Sequence, residues 1–162
     1  MRPRNCWPGC SACMVGRAAE VELVGQCHCG ALSFQLVSAL EALPQRLCSC
    51  SYCRCHAPRW SSDEQGRVSF NWAPELAPLA YRFAHGTADF LCCARCGILL
   101  AAVSIAEPRR AVLNLRCSNQ PAKPDSPTPT MDYSKESATD REQRHHRRWT
   151  PVTRLPDSAA AG

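Results

Sequence analysis

Seven of the chain's thirteen cysteines fall in three short clusters, and no other feature limits so tightly what the chain can fold into. The clusters read Cys27-His28-Cys29-Gly30, Cys48-Ser49-Cys50-Ser51-Tyr52-Cys53 and Cys93-Ala94-Arg95-Cys96-Gly97. Cysteines one or two residues apart with glycine beside them have the spacing of zinc knuckles, where a tight turn aims two sulfurs at one ion. The outer pairs, Cys27/Cys29 and Cys93/Cys96, together offer four thiolates, enough to close a tetrahedral structural site. The middle cluster offers three, Cys48, Cys50 and Cys53, and a site with three protein ligands keeps a position open for chemistry. Two Zn²⁺ per chain are expected, one structural and one catalytic.

Thirteen cysteines would suit a disulfide framework in a small secreted protein. The odd number and the crowding of the thiols argue against it, since disulfide partners are usually spread further apart. Arg2 and Arg4 are followed by Pro3, Pro8 and Gly9 rather than by an apolar run, so no secretory signal is expected. No stretch approaches the roughly 18 apolar residues of a membrane span. A reducing, cytoplasmic setting suits this many thiols.

At 162 residues the chain fits one domain. Residues 1–20 lack a regular apolar period and read as a flexible leader, with Cys6, Cys10 and Cys13 apart from the main array. The domain proper is expected over 21–117. Val21-Glu22-Leu23-Val24 leads into the first knuckle, and Ala31 to Val37 alternates as a half-buried strand does. Residues 45–47 lead into the middle cluster; further strands are expected over 66–72, 79–83 and 111–115, with 90–93 entering the third knuckle and the wholly apolar 98–103 leaving it. The middle cluster reads as a tight loop. Pro121, Pro124, Pro127 and Pro129 mark a linker over 118–133. Residues 134–162 hold a short helix over 134–148 and a tail, with Trp149 and Val152 as the residues to dock it. The fold expected is mostly β, a single domain of short strands and metal-bearing turns with a short C-terminal helix.

The net charge of +5 is concentrated late: Arg141, Arg144, His145, His146, Arg147 and Arg148 fall within eight residues. Such a run is most often a solvated helix face, though it can also contact nucleic acid or anionic ligands.

The motifs together resemble a known family. Gly25-x-Cys27-x-Cys29-Gly30, Cys48-x-Cys50-x-x-Cys53-Arg54 and Cys93-x-x-Cys96-Gly97 are similar to the glutathione-dependent formaldehyde-activating enzyme family, which also includes centromere protein V. Ser61-Ser62-Asp63 with Gly66-Arg67-Val68, Tyr81-Arg82-Phe83, Thr87-Ala88-Asp89-Phe90, Leu113-Asn114-Leu115-Arg116 and the tail ending Arg148-Trp149-Thr150-Pro151-Val152 look like one bacterial branch of it. The resemblance runs from about Glu22 to Val152. It implies a β-tent fold with two zinc ions, the structural one on Cys27, Cys29, Cys93 and Cys96 and the catalytic one on Cys48, Cys50 and Cys53. It further implies condensation of glutathione with formaldehyde to S-hydroxymethylglutathione, a carbon-sulfur lyase activity in the reverse sense. Glutathione is anionic, so Arg54, Arg59 and Arg95 near the knuckles are candidates to pair with its carboxylates.

Several residues depart from the pattern. Cys55 could add a fourth sulfur to the middle site, and His56 a ring nitrogen; either would close the open position. Cys92 beside Cys93 leaves two candidates for the partner of Cys96, and the Cys-x-x-Cys-Gly spacing favours Cys93. Cys117 has no nearby partner in sequence. His28 reads as a turn or solvent residue, His85 carries no strong signal, and Trp60 and Trp72 read as packing residues.

Three functions follow as expectations. The favoured one is a zinc-dependent enzyme adding glutathione or a similar small thiol to a small aldehyde. Against it stand a non-catalytic zinc module whose basic tail engages nucleic acid or protein, and a thiol carrier without turnover. The ligand count at the middle site separates them.

Overall fold

The computed structural model describes residues 20–119 and 127–156; the expectations for Cys6, Cys10, Cys13, most of the leader and the central part of the linker lie outside the described residues. In chain order the elements are β1 (Val21–Gln26), β2 (Ser33–Ser38), β3 (Gln45–Cys48), α1 (Ser51–His56), β4 (Trp60–Ser61), β5 (Arg67–Asn71), β6 (Leu79–Tyr81) and β7 (Ala88–Cys92). β8 (Leu99–Ser104), β9 (Arg110–Asn114), β10 (Thr130–Met131), α2 (Ala138–Arg148) and β11 (Thr150–Arg154) complete the set. The protein is mostly β, as expected, and the eleven described strands form one sheet.

The sheet has two wings joined by β11. The first wing is the antiparallel set β1-β2-β5, in register from Val21↔Ser38 to Phe34↔Phe70. β11 adds parallel to β5 through Val152↔Val68, and its first residues pair antiparallel with β9 through Thr150↔Ala111. β9 anchors the second wing. One of its edges carries β8, β7 and β6 in succession, and the other carries β4, which continues to β3 and β10.

Alternation in the sequence decides which way the wings face. Leu23, Phe34, Leu36, Val68 and Phe70 all point to one side of the first wing and are at most 1% exposed. They pack against Leu100, Ala101, Val103, Ala111 and Leu113 of the second wing to make the main core. The reverse face of the second wing is covered as well: Trp60, Ala88, Leu99, Ala102, Val112 and Trp149 form a second apolar cluster. β8 therefore lies between two cores, and all six of its residues are buried. A strand buried on both faces reads as a near-continuous apolar run, as 98–103 does in the sequence, with Ser104 closing it.

Three local outcomes differ from the sequence expectations. The middle cysteine cluster is not a loop but opens a helix, because Cys50 stands at the N-cap of α1 and its sulfur accepts from the Cys53 amide. Within 118–133, Thr130–Met131 forms a strand beside β3, with Leu47 donating to the Pro129 carbonyl. Proline lacks only the donor, so it suits this edge position. α2 starts at Ala138 rather than at 134, since Ser137 and Asp140 form a reciprocal capping box there. Trp149 and Val152, the expected docking residues, are in the second and main clusters respectively.

Candidate metal centres and an adjoining cavity

The outer cysteine pairs meet because two hairpins end side by side. β1 delivers Cys27 and β7 delivers Cys93, and each amide bonds across its turn, Cys27 to the Leu32 carbonyl and Cys93 to the Ile98 carbonyl, both at 2.9 Å. Each turn closes on a glycine with positive φ, Gly30 at 76° and Gly97 at 74°. A side chain at either place would have free space, so the backbone conformation alone calls for glycine. The sulfurs of Cys27 and Cys29 lie 3.6 Å apart, as do those of Cys29 and Cys93, and all four including Cys96 lie within 4.8 Å. Two 2.3 Å zinc-sulfur bonds at the tetrahedral angle separate their sulfurs by about 3.8 Å, so the donor set fits that ion.

Burial pushes the Cys96 thiol up, but the amides of Ile98 and Cys29 and the neighbouring thiols outweigh it and bring it down to about 6. The Leu32 amide donates to Cys27 at 3.3 Å. Cys117 lies beside this group, yet burial, with Cys27 and Cys96 nearby, holds it up at about 11. Of the adjacent pair, Cys93 joins the four-sulfur group. Cys92 points the other way, with its sulfur 3.2 Å from the Tyr52 hydroxyl.

The middle group is built differently. Cys48 ends β3, Cys50 caps α1 and Cys53 sits in its first turn, which brings three sulfurs within 4.8 Å. The Trp60 indole donates to Cys53 at 3.3 Å. A hydrogen bond from Cys53 is the main reason the Cys48 thiol falls to about 6, with Cys50 adding to the effect and burial opposing it; Cys53 is pushed well above the thiol range. Of the hydrogen-bonded pair, Cys48 is thus the sulfur disposed to ionise. Cys55 stays outside because two residues along a helix is a rotation of roughly 200°. Cys53 is buried and Cys55 exposed. His56 lies against the Tyr52 ring, 4.4 Å between centroids. Among the described residues the middle group therefore has three sulfur donors.

The two groups also differ in surroundings. Cys48, Cys50 and Cys53 line a cavity of about 520 Å³, and none of the four outer cysteines reaches it. Trp60, Phe90 and Trp149 give this cavity apolar walls, and such a volume is in the range of small-molecule sites.

The remaining wall was not foreseen. Arg54 and Arg95 are exposed, and Arg59 donates to Gln45, so none of the three expected arginines lines the cavity. Arg46, Arg141 and Arg144 do. The basic run is divided by helical spacing: Arg141, Arg144 and His145 share the inner face at i, i+3 and i+4, while His146, Arg147 and Arg148 are exposed. Arg144 makes a paired contact with Glu136 at 2.7 and 2.9 Å and lies 3.8 Å over the Tyr133 ring. Arg46, two residues before Cys48 on β3, donates to the Ser62 hydroxyl at 2.9 Å, and burial lowers its pKa. The clue in the sequence was the alternation on β3, which places Arg46 and Cys48 on one face.

His145 is 3% exposed and stacks on Trp149 with 3.7 Å between centroids. Burial, with Arg144 and Arg141 beside it, holds its pKa down at about 3. Between about 3 and the ordinary value near 6.5, the unfolded chain takes up a proton that the folded protein refuses. The stability from this group is thus complete above pH 6.5 and is lost as pH falls toward 3. In thermal unfolding from pH 7.5 to pH 4, His145→Phe should lose less melting temperature than the parent; an equal loss would contradict this reading.

No protein-family model and no curated protein matches the chain. Among solved structures, a Rhodobacter sphaeroides protein determined as a structural-genomics target is similar in fold. Its TM-score is 0.55 at 23% identity, and the match covers 67% of this chain and 99% of that one. Among the described residues, no helix is long and apolar enough to cross a membrane.

Proposed function

We propose that this chain is a zinc-dependent enzyme of the carbon-sulfur lyase type, adding glutathione or a similar small thiol to a small aldehyde in a reducing, cytoplasmic setting. The observation that carries the reading is the placement of Cys48, Cys50 and Cys53 on the wall of a ligand-sized cavity. The motif resemblance to the formaldehyde-activating family supports it. Cys27, Cys29, Cys93 and Cys96 would hold a second, structural zinc.

Zinc on three cysteines with one position left would bind an incoming thiol and lower its pKa enough to ionise it. In the addition, a carbon-sulfur bond forms, the carbonyl π bond breaks, and the proton lost by the thiol ends on the carbonyl oxygen. The chain's own part is positioning. Cys53 is fixed by the Trp60 indole and Cys50 by its capping role, so the trio needs little rearrangement. Trp60, Phe90 and Trp149 give the wall an apolar part, beside which electrostatic interactions are stronger than in water.

Native mass spectrometry of the reduced, zinc-loaded protein with and without glutathione tests this. Two zincs and a glutathione adduct that disappears in Cys50→Ser are expected. Two zincs without an adduct would overturn the reading. Because glutathione and formaldehyde also combine unaided, turnover requires an initial rate above the uncatalysed one.

A binding-module reading keeps one observation in its favour, the exposed His146, Arg147 and Arg148. It requires salt-dependent retention on an anionic polymer. With Arg141, Arg144 and His145 turned inward, the face left for phosphates is small.

A further inference from the structure

We propose that the cavity contains an anion subsite in which Arg46, backed by the inner face of α2, takes a carboxylate of the thiol substrate. The identification of the ligand as a thiol rests on the reading above. Its charge rests on separate observations.

The first is the imbalance of charge on the wall. Arg141 and Arg144 already face a carboxylate, Glu136, at 3.6 and 2.7 Å. Asp132 also lines the cavity and keeps its charge, since the Ser134 amide donating to it at 2.9 Å favours the ionised form, so Glu136 and Asp132 are the carboxylates set against three guanidiniums. Arg46 has the Ser62 hydroxyl as a hydrogen-bond partner, and among the described residues no carboxylate is paired with it. A guanidinium has five donors in a planar fork suited to a carboxylate. A half-buried one facing only hydroxyl partners is costly unless something anionic completes it.

The second observation is independent of Arg46. His145, 3% exposed, lines the same cavity, and among the described residues its Nδ1 has no hydrogen-bond partner. A buried imidazole without a partner beside the cavity is a place where a polar ligand would find a complement.

The third is spacing. Arg46 and Cys48 are alternate residues of β3 and both line the cavity, so their Cα atoms are about 7 Å apart. A ligand held at both would carry its carboxylate a few bonds from its sulfur. Glutathione meets that condition, and so do simpler mercapto acids; a neutral thiol does not.

The test compares 3-mercaptopropionate with 3-mercapto-1-propanol, which differ in the carboxylate, on the cobalt-loaded protein. Thiolate-to-cobalt charge-transfer absorption reports sulfur binding. A charge-assisted pair of this kind predicts that the mercapto acid binds about 10- to 100-fold tighter than the alcohol. Arg46→Gln should remove that difference and leave the alcohol's affinity unchanged, while Arg46→Lys should retain part of it. Equal affinities in the unaltered protein would overturn the subsite without recourse to any variant. So would an equal weakening of both thiols by Arg46→Gln.

A second probe, 3-(methylthio)propionate, has no thiol to ionise and reports the carboxylate alone through tryptophan fluorescence. Binding of this probe that depends on Arg46, with no cobalt response to any thiol, would sink the thiol-addition reading and keep the subsite. A cobalt response to both thiols, indifferent to charge and to Arg46, would do the reverse.

Discussion

Cys93→Ser is expected to yield a chain that no longer folds cooperatively. Cys93 is 2% exposed, and its sulfur, 3.6 Å from that of Cys29, is the link between the β7–β8 turn and the β1–β2 turn. Serine is a poor zinc ligand and would leave a hydroxyl in a buried place. Structural zinc contributes on the order of 10–16 kcal/mol in small zinc domains, while whole domains are stable by only about 5–15 kcal/mol. Differential scanning calorimetry should lose the unfolding transition, and metal analysis should find one ion fewer per chain than in the parent. A variant melting where the parent does would mean that the two hairpins are held by their apolar contacts alone.

Cys48→Ser should behave in the opposite way. Cys48 is half-buried at the end of β3, and its backbone is held by the pairing of that strand with β10 and by the cavity wall, none of which needs the sulfur. The fold, and metal binding by the four-sulfur group, should remain. Loss of merely outer partners of a metal ligand weakens a site about 10- to 100-fold, so removal of one of three ligands should exceed that and bring thiol binding to background. Metal stoichiometry of one per chain with an unchanged melting transition is the expected result. A stoichiometry of two would place the second ion elsewhere.

The contrast between these variants rests on a difference that the spacing of the cysteines already contained. Four sulfurs in two short turns and three in a third cluster were readable because a knuckle is local: its ligands, its glycine and its flanking strands lie within about ten residues. The strands around the knuckles were readable for the same reason, since alternation at Phe34, Leu36, Val68 and Phe70 needs no knowledge of partners. The helix at Ser51–His56 was not readable, because six residues with little apolar period carry no helical signal and form a helix through the Cys50 cap. Thr130–Met131 and Thr150–Arg154 were missed because two prolines and a short polar run look like loop until another strand's edge is beside them.

By itself the amino-acid sequence determined the mostly β architecture, the two sulfur groups and the apolar strand between them, all of which depend on short-range periodicity and spacing. Only the tertiary structure decided that the three-sulfur group opens on a cavity while the four-sulfur group does not. It also decided that Arg46, Arg141, Arg144 and His145 form that cavity's wall in place of Arg54, Arg59 and Arg95. The reason is physical. Helix α2 begins ninety residues beyond the end of β3 in the chain and reaches it because β11 pairs with both β9 and β5, carrying Trp149 into the second core. A charge run has the same composition whether it faces water or a cavity, and long-range packing determines which.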